Sequence, residues 1–100
     1  MPVNGHRRNV VEDDPNALEP TLVRLVVMVA AFIEKAPDDV LDPDDALKYL
    51  EAIVGEIDQI RPRDRSRFAL LMHDEANKQP ELKQFILSLI PDEPSWAAGE

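Results

Sequence analysis

The nine residues from Leu25 to Ile33 (Leu-Val-Val-Met-Val-Ala-Ala-Phe-Ile) contain no polar side chain. A surface helix carries one apolar stripe and a polar back, so a helix apolar all round has to be covered on every side. A chain of 100 residues has few elements with which to cover it. The expected solution is a bundle with this helix at its centre.

The helix boundaries follow from the prolines. Pro20, with Glu19 before it, suits the first turn of a helix. Pro37 ends that helix near Ala36, because proline has no N–H for the ladder and biases the residue before it away from helix. A second helix starts at Asp42 as N-cap, with Pro43 at the first helical position and Asp44 and Asp45 against the positive end of the dipole. Its apolar residues Ala46, Leu50, Ile53, Ile57 and Ile60 recur at helical spacing, widened by Leu47 and Val54. Gly55 lies inside this helix, where it costs about 1 kcal/mol relative to Ala. Close approach of another backbone, that of helix 1, is the expected reason for it.

A third helix runs from Pro62 to Ala76 on Phe68, Leu71, Met72 and Ala76. A fourth opens at Pro80-Glu81, buries Leu82, Phe85, Ile86, Leu89 and Ile90, and stops at Pro91. No window alternates with period two and no repeat is visible. The fold class is therefore all-α: a small orthogonal or up-down bundle of four short helices with an apolar central first helix. Residues 1–19, rich in charge and turn formers without a period, are expected to be a disordered N-terminal arm. Residues 20–91 form the four-helix domain, and residues 92–100 form a flexible tail that Pro94 keeps extended.

Composition narrows the chemistry. There is no cysteine, which excludes disulfides, thiolate catalysis and cysteine-based metal sites together. Secreted domains of this size usually need such staples, so a cytoplasmic home is expected. The start, Met1 to Arg8, has no apolar stretch behind its charges and does not read as a signal peptide. The apolar segment Leu22–Ile33 is interrupted by Arg24 and falls short of the roughly 20 residues a membrane helix needs. The reading is a soluble protein.

Net charge is −9, concentrated in residues 37–60, where eight carboxylates face one lysine. Such a surface repels nucleic acid and suits a basic protein partner. Asp38-Asp39-Val40-Leu41-Asp42-Pro43-Asp44-Asp45 resembles a calcium loop only in its acidity. An EF-hand needs Gly at its sixth position and Glu at its twelfth. Counting from Asp38 gives Pro43 and Tyr49, and from Asp42 gives Leu47 and Ile53. Asp42, Asp44 and Asp45 read as helix capping, and Asp38 and Asp39 as an acidic contact surface.

Arg61, Arg63, Arg65 and Arg67 break a local rule, since cations at a helix N-terminus oppose the macrodipole. Either Glu56, Asp58 and Asp64 neutralise them or they grip a carboxylate or phosphate partner. His73 has Asp74 and Glu75 as neighbours, but adjacent residues of a helix do not face one another. His6 lies in the arm; two histidines without cysteine make neither a zinc site nor a nucleophile pair. Ser66, Ser88 and Ser95 have no nucleophile-elbow context, and three scattered glycines make no phosphate loop. No catalytic residue, metal site or cofactor is assigned. Trp96, the single tryptophan, either docks on its own domain or anchors a partner.

Three amphipathic helices give thin cover for helix 1. Self-association along Val26, Val29 and Ile33 is the expected remedy, beside the simpler arrangement in which the three helices wrap it. The function expected is a non-catalytic acidic interaction module, in the manner of an immunity protein, antitoxin or inhibitory subunit bound to a more basic protein. The alternatives are a nucleic-acid-associated regulator using Arg61–Arg67 and an oligomeric structural adaptor.

Overall fold

A computed structural model describes residues 16–99. The chain is all-α, with no strand among the described residues. The elements are α1 (Leu18–Lys35), α2 (Pro43–Asp58), α3 (Pro62–Lys78), a 3-10 turn (Pro80–Leu82) and α4 (Lys83–Ser88). Helix α1 packs against α2 and α3, and α4 packs against α3. The first 15 residues of the expected N-terminal arm lie outside the described residues.

A side-chain cap sets one boundary and a proline another. Asp42 takes the N–H of Asp44 on its side chain at 2.8 Å, with Pro43 at the first helical position of α2. Helix α1 ends at Lys35, and Ala36 is extended ahead of Pro37 as the proline requires. Its start lies two residues before Pro20, which is admissible because N–H groups of the first turn have no intrahelical partner. The fourth helix is shorter than its apolar pattern: Pro80–Leu82 winds as a 3-10 turn and the α-helix covers only six residues. Leu89 and Ile90 continue the pattern beyond the helix and are still buried.

The core is aliphatic, built from Val23, Val27, Ala30, Ile57, Met72, Ala76, Ile86, Leu89 and Ile90, with one aromatic, Trp96. Phe68, Leu71 and Phe85 pack against it from partly buried positions. Among the described residues one charged side chain is buried: Glu75, which accepts a 2.5 Å hydrogen bond from Gln79 Nε2. That contact lies within one turn and fixes the C-cap of α3, just before the 3-10 turn.

Two expectations fail here. Helix α1 is not wrapped. It buries Val23, Val27 and Ala30 against its neighbours and leaves Leu18, Leu22, Leu25, Met28, Val29 and Phe32 exposed. The reason is the number of partners: α2 and α3 cover one face, while α4 sits on α3. The second failure is the tail, which does not extend from Pro91 to Gly99. Its N–H groups turn back on themselves, from Trp96 to the Asp92 carbonyl and from Ala98 to that of Pro94. The chain reverses at Asp92, which adopts a left-handed φ of 35°. The reversal lays Trp96 into the core. Gly99, at φ 83°, rests against Pro62 at the start of α3, where a Cβ would stand 3.1 Å from the Pro62 carbonyl oxygen.

Candidate functional site

Two of the four arginines, Arg65 and Arg67, are bound into the domain. Arg65 donates from Nε to the Ile60 carbonyl at 2.9 Å and from Nη2 to that of Asp58 at 3.4 Å. These carbonyls belong to the C-terminal end of α2, where a cation is favoured. The residue that violates the dipole rule for α3 therefore satisfies it for α2. The same guanidinium lies 5.1 Å from the Trp96 ring centre, a cation–π contact. Arg67 Nε donates to Glu19 at 2.6 Å, tying α3 to the first turn of α1. Arg61 pairs loosely with Asp64 at 3.7 Å, and Arg63 is exposed.

Trp96 is not an exposed anchor. It is 5% exposed and meets Phe68 edge-on, with ring centres 6.0 Å apart and planes at 81°. Sequence alone left both of its readings open, because the contacts that decide between them lie about thirty residues away on α3. Glu93 of the tail meets His73 Nε2 at 3.1 Å. The histidine thus has a carboxylate partner after all, but on the surface and from a distant segment; both side chains are well exposed. Together Trp96, Glu93 and Gly99 strap the tail across α3.

Of the expected self-association residues, Val29 is exposed, while Val26 and Ile33 are half-buried beside it. Asp38 and Asp39 stand exposed in the turn between α1 and α2. Among the described residues no three His, Asp or Glu side chains gather closely enough to hold a metal ion.

One feature escaped the sequence. Gly55 approaches nothing: a Cβ built there meets no atom within 4 Å. Instead of admitting α1, the glycine lines a surface groove of about 640 Å³. Leu50, Val54, Phe85 and Leu89 supply its apolar lining. Glu34 of α1 and Glu51 and Asp58 of α2 supply carboxylates along it, and among the described residues no lysine or arginine lines it. Hydrophobic spacing along each helix could not show this, because the groove exists only where α1, α2 and the Phe85–Pro91 segment converge. No protein-family model, no curated protein and no solved structure matches this chain.

Proposed function

We propose that this domain is a non-catalytic acidic interaction module that binds a more basic protein. The observation that carries the proposal is the groove at Gly55, where apolar lining and carboxylates occur without a cation among the described residues. An amphipathic segment laid in such a groove buries its apolar face and sets its lysines and arginines against the carboxylates. Glycine at position 55 keeps the opening clear at the expense of helix stability. Small acidic proteins that occlude a basic partner, such as immunity proteins, antitoxins and inhibitory subunits, are the functional type this reading favours. A chain without cysteine is compatible with the reducing cytoplasm, where we place it. No helix among the described residues is long and apolar enough to cross a membrane.

The arginines support this reading over a nucleic-acid regulator, since Arg65 and Arg67 hold the fold together. The test is affinity capture with the wild-type chain beside Gly55→Leu and Glu51→Lys. Gly55→Leu sets a bulky side chain into the opening and Glu51→Lys reverses one charge beside it. A lysine- and arginine-rich protein should be retained by the wild type and lost from both variants. Identical capture by all three would remove the groove from the function.

A further inference from the structure

The uncovered face of α1 has a spacing of its own. Leu18, Leu22, Leu25, Val29 and Phe32 are each about half exposed or more, and they follow one another at intervals of four, three, four and three residues. That is the 3.5-residue period of a helix–helix seam. Met28 borders the stripe, and the buried residues Val23, Val27 and Ala30 lie on the opposite face. A solvent-facing side would carry polar residues here instead.

We propose that this face pairs with α1 of a second copy of the chain, antiparallel, about a two-fold axis at Leu25. The area is adequate for that occupant. From their fractional exposures the six side chains offer on the order of 600 Å², the top of the range for a monomer's largest apolar patch. Two such faces together offer about 1,200 Å², which reaches the lower bound for a specific, stable interface when pairing covers the whole stripe and Met28. A second copy also meets the requirement that a two-fold contact be self-complementary. Leu25 sits on the axis, Leu22 and Val29 flank it, and Leu18 and Phe32 close the two ends.

Charge selects the direction. The N-terminal end of α1 is joined to the arginine-bearing start of α3 through Glu19 and Arg67. Its C-terminal end, with Lys35 in the last turn, leads through Ala36 and Pro37 into Asp38 and Asp39. A parallel pair sets acidic end against acidic end, whereas an antiparallel pair sets each acidic turn toward the other copy's exposed Arg61 and Arg63 and opposes the helix dipoles. Shape agrees. Beside the N-terminal half of the stripe lies a groove of about 370 Å³ with Leu22, Val26, Phe68 and Leu71 in its lining. The antiparallel arrangement delivers the bulky Phe32 of the second copy to that end. The acid-lined groove at Gly55 is a separate opening, so pairing and partner binding do not compete for the same residues.

Sedimentation of the full chain from low micromolar to near-millimolar concentration tests the pairing. A concentration-dependent dimer is expected, with Leu25→Glu and Val29→Lys each weakening it by about 100-fold or more, as an unpaired charge at the seam demands. Both positions are exposed in the single chain, so circular dichroism and melting should show folded monomers. Direction is read by cross-linking, which is clean because the chain has no cysteine. A mixture of Leu18→Cys and Phe32→Cys should join through a short bis-maleimide, while Leu18→Cys alone should not, its two copies standing about 21 Å apart along the axis. A full chain that stays monomeric throughout, its stripe covered by its own first 15 residues or reserved for a different protein, overturns the proposal. So does a dimer indifferent to both charged variants, or one in which Leu18→Cys joins to itself.

Discussion

Arg65 shows how one side chain can reverse a reading made from its neighbours in sequence. Judged within α3 it opposes the dipole, and replacing it with glutamate looks favourable. Judged in the fold it closes the carbonyls of Asp58 and Ile60 and covers the Trp96 ring. Hydrogen bonds from a charged donor contribute about 1.5–3 kcal/mol, more than the dipole gain of up to about 1 kcal/mol. Arg65→Glu should therefore lower stability by about 1–3 kcal/mol in urea denaturation. Arg63→Glu, at an exposed position with only the dipole term, should hold stability or raise it by a few tenths of a kcal/mol. Equal effects from the two would contradict the capping role of Arg65. Trp96→Ala should cost about 3–5 kcal/mol by opening a cavity, a large part of what a domain this size possesses. Trp96→Phe should be much milder, because the buried indole N–H has no hydrogen-bond partner among the described residues.

At the scale of elements, boundaries were legible wherever a local rule set them. Asp42-Pro43 and Pro37 bound their helices from the sequence because capping and proline chemistry act within a few residues. The truncation of the fourth helix was not legible, since the apolar period continues through Leu89 and Ile90 after the hydrogen-bonded helix stops. Nor was the sidedness of α1, because nine apolar residues in a row hide which face the neighbours choose. Two substitutions expose that choice. Val27, fully buried, should unfold the chain when changed to Glu, whereas Val29→Glu should leave the chain folded with its helical content nearly unchanged. Circular dichroism separates the two, and equal loss of structure would mean that α1 is wrapped on both sides. On α2, Gly55→Ala should raise stability by about 1 kcal/mol, because the new methyl meets open space and the helix loses its most permissive residue.

For the whole molecule, the acidity of residues 37–60 was plain from composition, but where its carboxylates gather was not. Of the carboxylates beside the groove, Glu51 and Asp58 come from that segment and Glu34 from α1, and only packing brings them to one opening with Phe85 and Leu89. The tail was misread for the same reason: its partners Phe68, His73 and Pro62 lie far back in the chain. The most direct measurement of the proposed function is a heteronuclear NMR titration of the full chain with a synthetic amphipathic helix of leucine and lysine. The expected result is saturable shift changes centred on Leu50, Val54, Gly55 and Phe85, weakened by salt and abolished by Gly55→Leu. Shifts confined to Leu18, Leu25 and Phe32, or unchanged binding in Gly55→Leu, would contradict the groove as the site where this domain meets its partner.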